Sequence, residues 1–118
     1  MRVPSDFKVD VRRDGETVVV VPAGELDIAT VPVLRSALRR HRASPELVLD
    51  LRHVSFVDSA GLALVLEEHL RAEQERVKFR LVRGNELVHQ VFEMTGLSRR
   101  LIWADDMAAA GDARSRRA

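Results

Sequence analysis

The chain has 118 residues, the size of one domain with a single hydrophobic core. It contains no cysteine, which excludes disulfides, thiol catalysis and cysteine zinc sites, and its net charge of +1 gives no electrostatic reason to expect nucleic acid as the main partner. No apolar run reaches the roughly 18 residues that span a bilayer, and the first residues lack the apolar segment of a secretory signal. We therefore expect a soluble, cytoplasmic domain with no membrane partner and no direct nucleic-acid partner.

The N-terminal part of the chain follows the pattern of a β-hairpin. Apolar and charged residues alternate over residues 7–11, as in a half-exposed strand, and Asp14-Gly15 is a hairpin turn signal. The apolar run over residues 18–21 predicts a second strand, antiparallel to the first and buried on both faces. Residues 24–27 interrupt the apolar pattern and predict a loop.

A helix and a third strand come next. Thr30 is the candidate N-cap of the helix, and the helix is predicted to end near His41. Its predicted apolar face consists of Val33, Leu34, Ala37 and Leu38. The third strand is predicted over residues 46–51, and the apolar run continues to Phe56-Val57.

The second helix is predicted to begin near Ser59 and to end near Glu75, because apolar residues recur there with helical spacing. Its predicted apolar face carries Leu62, Val65, Leu66 and Leu70, and its predicted exposed face carries Glu67, Glu68, Arg71 and Glu75. A fourth strand is predicted over residues 77–81. The third helix is opened by Gly84-Asn85 and closed by Gly96, and residues 101–103 are a candidate edge strand.

This order of elements predicts an α/β fold, formed by one domain over residues 1–104. Crossover helices join the second, third and fourth strands, so these strands should be parallel with right-handed connections. The first strand adds an antiparallel pair, which gives a mixed sheet of four to five strands. Residues 105–118 are predicted to form a C-terminal tail, with a short helix followed by a disordered end.

Acidic and hydroxyl side chains follow two neighbouring strands at the carboxyl edge of the predicted sheet, the usual place for function in such sheets. Asp27 lies in one loop, Asp58 and Ser59 lie in the other, and we expect the three to converge. Ser59 should lie at the mouth of a helix, beside unpaired N–H groups and the positive end of the helix dipole. A hydroxyl there can either cap the helix or carry a phosphoryl group.

Metal and catalytic motifs do not occur in the sequence. The histidines lie on separate segments without metal-site spacing, and we expect surface or half-buried positions for His41, His53, His69 and His89. The chain has no Gly-rich phosphate loop, and the residues around Ser59 lack the first glycine of a Gly-x-Ser-x-Gly nucleophile turn. We predict no metal, no cofactor and no catalytic residue; an enzyme with Ser59 as its nucleophile is a rival interpretation.

Three blocks of sequence carry a family resemblance. They are Gly24-Glu25-Leu26-Asp27 with Ala29-Thr30, then Leu49-Asp50-Leu51 through Val54-Ser55-Phe56-Val57-Asp58-Ser59-Ala60-Gly61-Leu62, and then Val91-Phe92-Glu93-Met94-Thr95-Gly96-Leu97. In this order and spacing the chain resembles the STAS family, and within it the bacterial anti-anti-sigma factors, over roughly residues 7–103. The resemblance implies the STAS fold. Family members often end in an amphipathic helix, whereas residues 107–110 supply little apolar surface.

The resemblance also implies a switch at Ser59. In the family, the serine at this position is phosphorylated by an anti-sigma factor that is an ATP-dependent serine kinase. The unphosphorylated protein binds the kinase and frees the sigma factor, phosphorylation ends this binding, and a serine phosphatase restores it. The resemblance implies that Asp27 and Asp58 support binding or phosphorylation.

Two alternatives stay open at the level of the sequence. Gly61 belongs to the predicted partner-binding residues, either because a side chain there would crowd an approaching partner or because the backbone requires glycine. The domain itself could instead be a STAS accessory or docking subunit of a transporter or another signalling complex, with Ser59 used for docking rather than for signalling.

Overall fold

The structure, a computed structural model, describes residues 6–104. The predicted tail over residues 105–118 lies outside the described residues, so the domain boundary at residue 104 stays a prediction. Within the described range the elements are, in chain order, β1 (Lys8–Asp14), β2 (Thr17–Leu26), α1 (Val31–Arg40), β3 (Glu46–Asp50), β4 (His53–Val57), α2 (Ser59–Glu75), β5 (Lys78–Val82), α3 (Glu86–Met94) and a 3-10 turn (Leu97–Arg99).

The sheet confirms the predicted mixed α/β architecture. Its order is β1-β2-β3-β5, and β4 pairs with β2. β1 and β2 are antiparallel, as expected, and the turn between them is Gly15-Glu16, one residue later than the predicted Asp14-Gly15. The pairs of β2 with β3, β2 with β4 and β3 with β5 are parallel. The candidate edge strand over residues 101–103 amounts to one parallel bridge between Trp103 and Leu81.

The sequence prediction was wrong about the ends of the second and third strands. β2 continues to Leu26, so residues 24–26 are strand rather than loop, and the apolar run after Leu51 is a separate strand, β4. β3 pairs with the first half of β2, and β4 pairs with its last residues. One long strand therefore holds two short ones in succession, which a pattern of apolar residues cannot reveal.

An irregularity in the β2–β4 pairing accounts for the glycine that suggested a loop. Gly24 pairs with Val54 and Glu25 with Phe56, so Ser55 is an extra residue in a β-bulge. Gly24 has φ +118°, a conformation that residues other than glycine rarely adopt. A Cβ there would also lie 3.3 Å from Cδ1 of Phe7. The glycine therefore allows the strand to pass the bulge instead of ending it.

An ion pair between the buried Asp50 and the half-exposed Arg52 stabilises the break between β3 and β4. Asp50 is almost fully buried, and its Oδ1 accepts hydrogen bonds from the backbone N–H and the Nε of Arg52, at 3.0 and 3.1 Å. Nη2 of Arg52 lies 3.0 Å from Oδ2 of the same carboxylate. These bonds raise the pKa of Arg52 above its usual value.

The helices and one face of the sheet share the main core, and a smaller cluster is formed by Val19, Val48, Val82 and Ala104. Residues 18–20 are fully buried, which confirms that β2 is covered on both faces. Two predicted helical faces were partly wrong, since Val33 is 44% exposed and Leu70 is 42% exposed. The buried positions of α2 are instead Gly61, Leu64, Val65, Glu68, His69 and Ala72.

Three polar residues are buried against expectation: Glu68, His69 and His89. Oε2 of Glu68 accepts hydrogen bonds from Arg71 at 2.5 and 3.0 Å, and Oε1 lies 3.8 Å from Nη2 of Arg42. The rotation of α2 about its axis places the Glu68 carboxylate in the interior. Arg71 and Arg42 compensate its charge there.

We predict that Glu68→Ala lowers the free energy of unfolding by about 2–3 kcal/mol, because the largely buried Arg71 keeps only the exposed Glu75 as its partner and a buried side chain is lost. Urea denaturation measures this change. Glu67→Ala is the matched control: its ion pair with Arg35 is half-exposed, so its loss should cost less than about 1 kcal/mol. Equal effects of the two substitutions would contradict a buried role for Glu68.

Candidate functional site

The site lies where β2 and β4 end side by side. Leu26 pairs with Val57, and the backbone N–H of Asp58 donates to the carbonyl of Leu26 at 3.2 Å. The loop after β2 and the start of α2 therefore meet at one edge of the sheet. The structure thus brings together the segments that carry Asp27, Asp58 and Ser59, while the roles of these residues stay predictions.

Asp58, not Ser59, caps α2. Its Oδ1 accepts hydrogen bonds from the backbone N–H groups of Ala60 at 2.9 Å and Gly61 at 3.3 Å, and its carbonyl accepts the N–H of Leu62 at 3.0 Å. An aspartate in this position is a favourable N-cap because it satisfies donors that the helix itself leaves unpaired. The sequence-based alternative of Ser59 as the cap is therefore wrong.

Ser59 is the first residue of α2, and its side chain is exposed. Within residues 6–104 its hydroxyl takes part in no hydrogen bond. It lies two residues, or about 200° of helical rotation, from the buried Gly61, and so it faces away from the core. A reagent or an enzyme can reach this hydroxyl without any change in the fold.

Asp27 and Thr30 hold the neighbouring loop. Oδ1 of Asp27 accepts the N–H groups of Ala29 at 3.0 Å and Thr30 at 3.2 Å. The buried Thr30 hydroxyl donates to the carbonyl of Glu25 at 2.7 Å and accepts the N–H of Asp27 at 2.9 Å. Thr30 occupies the N-cap position of α1 without a side-chain bond into that helix. It fixes the loop instead of capping the helix as expected.

Gly61 is buried beneath the first turn of α2. A Cβ there would lie 2.7 Å from Cγ2 of Val57, closer than real Cβ atoms approach, and 3.0 Å from Cγ of Leu26, which is also unusually close. Glycine is therefore required for the helix to pack on the two strand ends. Gly61 does not have a positive φ, so close packing rather than backbone conformation accounts for this residue, and its role in binding a partner stays a prediction.

Residues 8–110 match the STAS domain family. The chain belongs to this family. It is 32% identical over 88 residues to the anti-sigma-B factor antagonist of Listeria monocytogenes, an alignment that covers 73% of this chain and 77% of the relative. An anti-sigma factor antagonist from Mycobacterium paratuberculosis shares the fold, with a TM-score of 0.80 and 24% identity over 98% of this chain and 99% of that one.

A second solved relative has been seen in two chemical states. SpoIIAA, an anti-sigma factor antagonist of Bacillus, is known unphosphorylated, with a TM-score of 0.70 and 27% identity over 92% of this chain and 96% of that one. Its phosphorylated form matches with a TM-score of 0.63 and 26% identity over 91% and 98% of the two chains.

The described part of this STAS domain offers neither a metal site nor a membrane span. Residues 6–104 contain no cluster of three or more histidine, aspartate or glutamate side chains placed to hold a metal ion. No helix in the same range combines the length and the apolar character needed to cross a membrane. At this edge of the sheet, the exposed Ser59 hydroxyl lies next to two segments that carry the acidic residues Asp27 and Asp58.

We predict that Asp58→Ala destabilises the domain by about 1 kcal/mol, because two N–H groups of α2 lose their acceptor. Ser59→Ala should change the stability by less than about 0.5 kcal/mol, since its hydroxyl makes no bond within the described residues. Thermal and urea unfolding compare the two neighbours directly. A larger loss for Ser59→Ala than for Asp58→Ala would contradict the assignment of the cap.

We predict that Gly61→Ala destabilises the domain by about 1–3 kcal/mol, because the buried Val57 and Leu26 cannot make room for a methyl group. At an exposed helical position the same change stabilises by about 0.5–1 kcal/mol. Ala63→Gly, at an exposed position of the same helix, measures that ordinary propensity in this chain. Stabilisation by Gly61→Ala would show that α2 does not pack closely on the strand ends.

Proposed function

We propose that this STAS domain is an anti-sigma factor antagonist that works by partner switching. The unphosphorylated domain binds an anti-sigma factor that is also an ATP-dependent serine kinase, and the sigma factor is released. The kinase phosphorylates Ser59, the complex dissociates, and a serine phosphatase restores the starting state. All of these steps take place in the cytoplasm. The observation that carries this proposal is the exposed Ser59 hydroxyl at the start of α2, in a chain whose relatives are named anti-sigma factor antagonists.

The bonds of Asp58 explain why a phosphate at Ser59 can act as a switch. A phosphoserine adds a charge of about −1.5 to −2 at neutral pH. The N–H groups of Ala60 and Gly61, which could otherwise receive this charge, already bind the Asp58 carboxylate. The phosphate therefore stays at the surface, next to the acidic loops, and its full charge faces the partner.

The energies favour a change in binding over a change in fold. The helix dipole and the neighbouring carboxylates act on the phosphate with opposite signs, each by about 0.3–2 kcal/mol, so the domain keeps its structure. An unmatched charge buried in an interface costs several kcal/mol. A cost of about 4 kcal/mol weakens binding roughly a thousandfold.

In this proposal Ser59 is a substrate and not a nucleophile. Activation of a serine nucleophile needs a base within hydrogen-bond reach. Within residues 6–104 the Ser59 hydroxyl has no such bond. The Nε2 atoms of the buried His69 and His89 lie 3.4 and 3.6 Å from the carboxylates of Glu73 and Glu93. The same hydroxyl is fully available to an external kinase.

We predict phosphorylation of Ser59, and of no other residue, when the purified domain is incubated with ATP and the anti-sigma factor serine kinases of the same genome, each in turn. Mass spectrometry locates the added phosphate. Ser59→Ala should bind the same kinase and stay unmodified. Ser59→Asp should lose binding by at least about a hundredfold with an unchanged circular dichroism spectrum.

Three results would contradict the proposal. One is that no kinase of this class modifies the domain. Another is that Ser59→Asp binds as tightly as the wild type. The last is that a pull-down recovers a membrane transporter complex instead of a soluble kinase, which would favour a docking subunit.

A further inference from the structure

We propose that Ile28 is an apolar anchor for the same kinase that modifies Ser59, and that it determines which kinase the domain accepts. This inference rests on the proposed function and adds a specificity residue to it. Ile28 is 80% exposed, although it carries one of the larger aliphatic side chains of the chain. It belongs to the loop between β2 and α1, directly after Asp27.

Ile28 and Ser59 follow the ends of two paired strands, within the span of one protein interface. Ile28 lies two residues past Leu26, and Ser59 lies two residues past Val57, the pairing partner of Leu26. Paired strands are about 4.8 Å apart. A stable complex covers about 800 Å² on each protein, a patch roughly 30 Å across. A folded kinase that contacts the Ser59 hydroxyl is therefore large enough to cover Ile28 as well.

The loop holds Ile28 in place before any partner arrives. The residues on both sides of it are fixed by the bonds of Asp27 with the N–H groups of Ala29 and Thr30, and by the bond from the Thr30 hydroxyl to Glu25. The backbone N–H of Val31 also donates to the carbonyl of Asp27 at 2.8 Å. Because the loop is already ordered, binding does not have to offset its conformational entropy. An exposed aliphatic side chain on a loop whose backbone is already fixed can anchor a complex by entering a pocket of its partner.

Charge alone gives this edge little power to select a partner. Asp27 and Asp58 use their carboxylates to hold the loop and the helix cap, so their contribution to a complex is limited by these bonds. The Ser59 hydroxyl is small and is common to every substrate of such kinases. Ile28 is bulky, it is not needed for the core, and its size and shape can be matched or rejected by a pocket.

We expect Ile28→Ala to weaken binding of the unphosphorylated domain to the kinase that modifies Ser59 by about tenfold. The same substitution should raise KM for phosphorylation to a similar extent and leave kcat unchanged, because the hydroxyl and its surroundings are untouched. Ile28→Val keeps most of the apolar surface and should stay within about threefold of the wild type. Calorimetric titration and steady-state phosphorylation give these values.

Met94→Ala is the matched control. Met94 is 83% exposed but is the last residue of α3, and its loss should change neither binding nor KM. The thermal stability of each variant should equal that of the wild type, since both side chains are outside the core.

The outcomes separate this inference from the proposed function. If the wild type is phosphorylated at Ser59 and Ile28→Ala binds equally well, the anchor is refuted while the proposed function stands. An equal loss with Met94→Ala, or a dimer of the wild type that Ile28→Ala converts to a monomer, also overturns the anchor. If no candidate kinase modifies the wild type, the proposed function fails and the anchor fails with it.

Discussion

The close contact between the first turn of α2 and the ends of β2 and β4 determines the rest of this domain. Gly61 lies against Leu26 and Val57 with no room for a side chain. This contact sets the rotation of α2 about its axis. It turns Glu68 into the interior, where arginines compensate its charge, and it turns Ser59 outward. A requirement of packing thus decides where the Ser59 hydroxyl points.

Asp58 links this packing to the chemistry of the site. Its backbone N–H continues the pairing of β2 and β4, and its carboxylate closes the start of α2. The backbone N–H groups of Ala60 and Gly61 therefore already have an acceptor. The Ser59 hydroxyl makes no hydrogen bond that stabilises the described part of the chain. A residue with no part in stability can be modified repeatedly at no cost to the fold. Such independence is what a reversible switch needs, because both of its states must be stable proteins.

The sequence contained most of the fold but not the details of the site. Turn signals, apolar periodicity and the order of strands and helices were sufficient for the mixed sheet, for the hairpin and for the start and end of α2 at Ser59 and Glu75. Local patterns did not show that residues 24–26 are paired, because the glycine in the bulge resembles a loop signal. The partner that makes them a strand, β4, is remote in the sequence.

The sequence pattern also could not predict which face of α2 is buried or which residue caps this helix. Several aliphatic residues of α2 offer more than one apolar face, and the choice between them depends on the contact of Gly61 with two strands. Asp58 and Ser59 are both good N-cap residues, and only the backbone geometry shows which of them occupies the position. The burial of Glu68 could not be predicted from the sequence, because it depends on the positions of Arg71 and Arg42 in the folded domain.

The most direct measurement is a comparison of two-dimensional ¹H–¹⁵N NMR spectra of the domain before and after phosphorylation of Ser59. A charge switch on a rigid edge predicts shifted signals in the loops over residues 27–30 and 58–63 only, with unchanged hydrogen-exchange protection at Leu26 and Val57. Changes that spread through β2, β4 and the length of α2 would contradict this account, because they would show that the phosphate works by displacing the helix from the sheet.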